Sequence, residues 1–350
     1  MSLHEVLRRI QSPDRQLLIQ AQFRLNRLTK PLGSLGRLEE VAAQYVMISG
    51  ELKASVPRGT VFTFAADHGV AKEGVSAYPS EVTPQMVLNF LRGGAGVNVL
   101  ARHVGVDIRV VDIGVAYEFG PMPGLIQKKV MPGTKNILSE PAMSRKQAEQ
   151  AIMVGVELAT QAVQEGIGLI GTGDMGIGNT TPSAAITAVM TGRPVAEVTG
   201  RGTGIDDAGH ARKVSVIQRA LELHRPDRTD ALDVLAKVGG LEIGGLAGLI
   251  LGAAAARVPV VLDGFIAGAA ALIAVGLQPR CQDYLIASHR SVERGHQTIL
   301  DHVGVKPLLD LDLRLGEGTG ACLGMSLVCA AVKIFTEMAT FDEAGVSEKE

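Results

Sequence analysis

Tryptophan is absent, and the aromatic share is only 3%. That leaves too few ring faces for a stacking platform of the kind that binds single-stranded nucleic acid. Charge of one sign is missing too: 34 basic against 36 acidic side chains leave a net −2, so no strong field draws the chain to nucleic acid or to an anionic membrane. Basic residues do gather early, at Arg8, Arg9, Arg15, Arg24, Arg27, Lys30 and Arg37. They sit among leucines at helical spacing and read as solvated helix faces. Only three cysteines occur, Cys281, Cys322 and Cys329, with no CxxC pair, which argues against a disulfide framework or a zinc site. The opening MSLHEVLRRIQSPDRQ lacks the apolar centre of a signal peptide, so a reducing cytoplasm is the expected compartment.

Apolar residues are plentiful, at 46% of 350 residues, enough for a large core. The most apolar stretch, Leu241–Gly276, is cut by Arg257, Pro259 and Asp263. Each piece is shorter than the roughly 20 residues of a membrane span, so a buried helix, strand and helix is expected and no membrane insertion. Elsewhere one pattern recurs: a short β-rich run, a Gly or polar loop, then a helical pattern. The runs are Thr60–Ala66, Asp107–Asp112, Gly166–Ile170, Val258–Leu262 and Asp283–Ala287, with a possible sixth at Leu309–Leu315. Alternation of this kind predicts a parallel sheet with right-handed crossovers. The fold expected is therefore an α/β Rossmann-like three-layer α/β/α sandwich with a mostly parallel sheet. Residues 1–55 and 325–350 are expected to form a small helical domain and residues 56–324 the large domain with the active site. The acidic end FDEAGVSEKE reads as a frayed tail.

In such sheets ligands bind beyond the carboxyl ends of the strands, where the polar loops fall. Gly171–Ala185 (GTGDMGIGNTTPSAA) contains GxGxxG at Gly171, Gly173 and Gly176, before a helix that Thr181 could cap and Pro182 could open. Phosphate, a dinucleotide or a plain tight turn would each suit such a loop. Gly200–Lys213 (GRGTGIDDAGHARK) is a second glycine loop, in which Arg201 and Lys213 could add positive charge and Asp206 and Asp207 could cap a helix. Asp67 and His68 could touch a metal, but no second histidine stands at helical spacing, so no metal is assigned. Tyr78 and Pro79 could wall a flat ligand. Asp263, after a strand, could bind a ribose hydroxyl or cap the next helix. Glu317, between glycines and close behind Arg314, has no triad partner nearby in sequence. It suits a lone general base whose pKa is raised by burial, or else a solvated turn.

Taken together these segments resemble a known family. TKPLGSLGRLE (29–39), FAADHGV and GVSAYP (64–79), FLRGGAGVN (90–98), GDMGIGNTTPSAA (173–185), GRGTGIDD (200–207), LDGFIAG (262–268) and LGEGTGA (315–321) occur in the order found in nicotinate-nucleotide–dimethylbenzimidazole phosphoribosyltransferases. The resemblance spans nearly the whole chain. It implies a cytoplasmic homodimer without cofactor that moves phosphoribose from nicotinate mononucleotide to 5,6-dimethylbenzimidazole in cobalamin nucleotide-loop assembly. It places the family's base on Glu317 and a second carboxylate on Asp174. That position is often Glu in the family, so direct proton transfer, action through a water and orientation of Glu317 all stay open. Tyr78, Pro79 and Ser80 resemble the base pocket, and Gly176, Gly204, Lys213 and Ser291 resemble the nucleotide pocket; Gln85, Arg201, Asp263 and Leu315 are the further substrate-binding residues expected. Rival readings are the same transfer to another aromatic base and a nucleotide-binding regulator without catalysis.

Overall fold

In the computed structural model, which describes residues 1–347, six strands form one parallel sheet. They are β1 (Gly59–Ala66), β2 (Asp107–Gly114), β3 (Leu125–Gln127), β4 (Leu169–Met175), β5 (Val260–Leu262) and β6 (Leu285–Ala287). Their order is β3-β2-β1-β4-β5-β6. The chain builds outward from β1 to one edge, returns, and builds outward from β4 to the other. The reversal between β1 and β4 is the place where such sheets open a crevice at their carboxyl ends.

Strand alternation divides the core. Phe62 and Phe64 of β1 point into one cluster, with helices Arg145–Gln164, Leu241–Ala255 and Phe265–Leu277; Val61 and Ala65 point into the other, with Arg37–Ser49 and Thr319–Glu337. Leu241–Ala255, β5 and Phe265–Leu277 are the helix, strand and helix predicted for the apolar stretch. One other helix, Thr319–Glu337, is long and apolar enough to cross a membrane by length and composition, and more than half of it is buried. It packs against Arg37–Ser49 and the sheet.

Three expectations of detail fail. The GxGxxG glycines are not all loop: β4 runs through Gly171 and Gly173 to Met175. A Cβ at Gly171 would meet Met325 Sδ at 2.9 Å, and one at Gly173 would strike the Glu317 backbone. Those two glycines let helix Thr319–Glu337 and its leading loop lie against the strand. Leu309–Leu315 is no strand; a single bridge, His289 to Leu309, is all that forms. Pro307 and the left-handed Asp312 (φ 54°) break the alternation. The cap of helix Thr180–Thr191 is Asn179, not Thr181.

The terminal helices also divide. Leu3, Val6 and Ile10 bury in the cluster of Phe62 and Phe64, while Arg15–Asn26 and Arg37–Ser49 join the cluster of Val61. Helix Thr319–Glu337 runs across the expected boundary at 324/325. The last three residues of the acidic end, Glu348, Lys349 and Glu350, lie outside the described residues.

Candidate active site

A cleft of about 700 Å³ opens at the carboxyl edge, beside the end of β4. Six of the predicted site residues line it: Tyr78, Asp174, Gly176, Ser291, Leu315 and Glu317. A larger surface groove of about 920 Å³ lies by β3 and helix Arg145–Gln164, holds none of the predicted site residues, and does not bear on this chemistry.

Glu317 is buried, at 5% exposure, though its neighbour Leu315 is 60% exposed at the rim. Its backbone is left-handed (φ 65°) between two more left-handed residues, Gly316 (81°) and Gly318 (104°). Such a conformation costs a non-glycine residue roughly 1 kcal/mol, and several bonds hold it. Glu317 N donates to the Asp174 carbonyl at 3.2 Å, and Thr63 Oγ1 donates to the Glu317 carbonyl at 2.8 Å. Val97 N, at the start of helix Gly96–Val104, donates to Glu317 Oε2 at 3.2 Å. Burial raises the Glu317 pKa above the ordinary carboxylate value, and the amides of Val97 and Gly96 pull the other way. The result is a carboxylate more basic than an exposed one, with its anion supported by a helix start.

Asp263 supports the same loop from below. Fully buried after β5, it accepts Gly318 N at 3.1 Å and Ala321 N at 3.0 Å, the opening amides of helix Thr319–Glu337. It does not line the cleft, and the helix it caps is Thr319–Glu337, not the next one in the chain as expected from the sequence. Burial, moderated by these amides, pushes its pKa up to about 7.

Asp174 shares the floor at 5% exposure. Asn179 Nδ2 donates to its Oδ2 at 2.9 Å, and its Oδ1 has no partner among the described residues. Burial first, then the charges of Asp263 and Glu242, hold its pKa well above the usual range.

At the other end helix Thr180–Thr191 points its start at the cleft, and the amides of Gly178 and Thr180 donate to no protein group among the described residues. Lys213 Nζ, completely buried, donates to Thr180 Oγ1 at 2.6 Å and lies just behind Gly202, which lines the cleft. Desolvation lowers its pKa to about 8, against the opposing pull of Glu293. Glu293 in turn accepts Gly202 N at 2.9 Å and fixes the second glycine loop. Free amides at a helix start with a cation behind them suit a phosphate.

Seven predicted residues stand off the lining: Pro79, Ser80, Gln85, Arg201, Gly204, Lys213 and Asp263. Pro79 and Ser80 accept the first amides of helix Val82–Arg92, and Gln85 is exposed on it. Arg201 turns to Asp207 and the Ile205 carbonyl. Gly204 is a left-handed turn residue bonded to the Arg201 carbonyl. His289, Met86, Asn179 and Glu293 line the cleft unanticipated. Asn179 lay inside the glycine motif, and His289 follows β6 directly, which was the available signal. Desolvation lowers His289 to about 4, so it is a neutral ring. His68 is engaged with Glu242, and no cluster of three or more metal-binding side chains exists among the described residues.

A parallel sheet with a phosphate-suited helix start and a desolvated carboxylate in one cleft fits a group-transfer enzyme acting on a nucleotide. A family profile described as phosphoribosyltransferase matches residues 10–346. The nicotinate-nucleotide–dimethylbenzimidazole phosphoribosyltransferase of Geotalea uraniireducens is 60% identical over 348 residues, 99% of each chain. That of Geobacter sulfurreducens is 61% identical over 346 residues, 99% of this chain and 98% of the relative. Two crystal structures from Thermus thermophilus, one titled as this enzyme and one as CobT, superpose with TM-scores of 0.91 and 0.92. They share 48% and 49% identity and cover 96% and 95% of this chain and all of their own. The chain belongs to the nicotinate-nucleotide–dimethylbenzimidazole phosphoribosyltransferase family.

Proposed function

We propose that this chain transfers phosphoribose from nicotinate mononucleotide to 5,6-dimethylbenzimidazole, giving α-ribazole 5′-phosphate and nicotinate, in cobalamin nucleotide-loop assembly. The observation that carries the reading is the desolvated Glu317 carboxylate in one cleft with the open start of helix Thr180–Thr191.

The nucleotide's phosphate binds at Gly176–Thr180, against Gly202, with Lys213 behind supplying charge. Nicotinate leaves from a nitrogen that is already cationic in the substrate, so the C1′–N bond breaks to a neutral ring without an acid. Glu317 takes the N–H proton of dimethylbenzimidazole, and the opposite ring nitrogen attacks C1′ from the face away from nicotinate, inverting β to α. One C–N bond forms, one breaks, and the proton ends on Glu317 for release. Positioning supplies much of the rate, and the anionic base offsets positive charge building on the attacking ring. Asp174 orients Glu317 through its carbonyl, and Tyr78, Met86 and Leu315 wall the flat base. The enzyme works as a cytoplasmic homodimer.

The test is incubation with nicotinate mononucleotide and dimethylbenzimidazole, followed by mass spectrometry for nicotinate and a new nucleotide. Their joint appearance supports the reading. Nucleotide binding without turnover overturns it in favour of a regulator, and turnover with adenine or a phenol but not with dimethylbenzimidazole overturns the choice of base.

A further inference from the structure

Behind the phosphate turn lies a buried pair of titratable side chains that the reaction above does not use. His68, two residues past β1, and Glu242, in the first turn of helix Leu241–Ala255, have side chains with no exposure and face each other at 3.0 Å between Nε2 and Oε1. The contact lies off the line of a good hydrogen bond. Apart from it, neither ring nitrogen nor either carboxylate oxygen has a partner among the described residues. Two polar groups sealed from water in this way are costly unless each serves the other.

Two glycines leave room for the pair. A Cβ at Gly240 would stand 2.6 Å from His68 Cε1 and 2.7 Å from Glu242 Oε2. A Cβ at Gly176 would stand 3.2 Å from His68 Nε2. Gly176 lines the cleft and begins the turn to the open start of helix Thr180–Thr191. The imidazole therefore backs the wall against which the nucleotide's phosphate is to rest. Burial, the largest influence, opposes charge on His68, but Glu242 and Asp67 together raise the imidazole pKa.

We propose that His68 and Glu242 are positioning residues that hold the Gly176 turn in the register needed to grip the phosphate of the nucleotide substrate. This rests on the transfer reaction proposed above. The pair touches no reacting atom; it acts through the turn it supports. Its disturbance loosens nucleotide binding more than binding of dimethylbenzimidazole, which rests on Tyr78, Met86 and Leu315 and not on the amides of the turn.

The test compares the parent with Glu242→Gln, with the double variant His68→Asn, Glu242→Gln, which leaves no buried charge unpaired, and with Gly240→Ala, which crowds the pair from the side away from the cleft. Turnover is measured against both substrates, and nicotinate mononucleotide binding by calorimetry, at a temperature where circular dichroism shows each variant folded. The expected result is a rise of about tenfold in KM and Kd for the nucleotide, shared by the variants, with KM for dimethylbenzimidazole within about twofold of the parent. Unchanged nucleotide constants in the folded variants overturn the proposal. So does a loss of turnover that only tracks the folded fraction, which would make the pair a stabiliser of the fold. Should Glu242→Gln not fold, the other two are read by the same criteria. Absence of turnover in the parent itself would instead sink the proposed reaction, so the two failures are distinct.

Discussion

Replacing Asp263 with Asn should cripple turnover while leaving nucleotide binding intact, although Asp263 does not line the cleft. The carboxylate accepts the amides of Gly318 and Ala321, at 3.1 and 3.0 Å, with one oxygen each. An Asn amide keeps one acceptor and turns an NH2 group toward the other amide, donor against donor. A lost hydrogen bond to a charged group at a buried site costs about 1.5–3 kcal/mol. At the usual entropy of unfolding per residue, about 2 kcal/mol lowers the Tm of a chain this size by roughly 3 °C. The larger effect is on the base. Three consecutive left-handed residues, Gly316, Glu317 and Gly318, relax once the loop loses an anchor, and a shift of about 1 Å at a catalytic group can cost about 10²-fold in rate. The assay is nicotinate release under saturating substrates, paired with a melting curve and with KM for the nucleotide. A fall in kcat of about tenfold or more, at a temperature well below Tm and with nucleotide KM unchanged, is expected. Parent-like turnover in the folded variant would refute the claim that Asp263 holds the base loop.

Other consequences follow from the same geometry. Gly173→Ala places a Cβ against the Glu317 backbone, a clash no side-chain rotation relieves. The same turnover assay should show a loss at least as large as that of Asp263→Asn, and full activity would contradict the packing role of that glycine. Lys213→Met removes the buried ammonium behind Gly202 and should raise KM for the nucleotide about tenfold or more, read by steady-state kinetics, while KM for dimethylbenzimidazole stays put. His296 is held at about 3 by burial, below the roughly 6.5 of an unfolded histidine. A depressed pKa gives stability that is present above about 6.5 and is lost as pH falls toward about 3. Between pH 6.5 and 5 that loss is about 2 kcal/mol from this group, so His296→Gln should show a shallower decline in denaturant unfolding free energy over that range. An equal or steeper decline would refute it.

How far the sequence could be read depended on range. The repeated strand, loop and helix made the parallel sheet and its carboxyl edge legible, and Glu317 falls beside that edge. The glycine-rich β4 was cut short because Gly171 and Gly173 read as loop; their reason is a helix arriving from residues 319–337. Leu309–Leu315 misled in the opposite sense, since its leucines alternate but Asp312 turns left-handed. The three-residue β3, set among Gly120, Pro121, Pro123 and Gly124, is too short to announce itself. Contacts of the site were beyond local reading: Val97 and Glu317 meet across 220 positions. His68 was a possible metal ligand by sequence, while Glu242, inside the apolar stretch, carried no signal, and only the fold joins them.

The most direct test of the account is Glu317→Gln. The Gln carbonyl can still accept the Val97 amide, so the loop keeps its shape and only the basic site is lost. We expect turnover of nicotinate mononucleotide with dimethylbenzimidazole to fall about 10²-fold, with the nucleotide's Kd by calorimetry unchanged. Turnover within about threefold of the parent would contradict the assignment of Glu317 as the base.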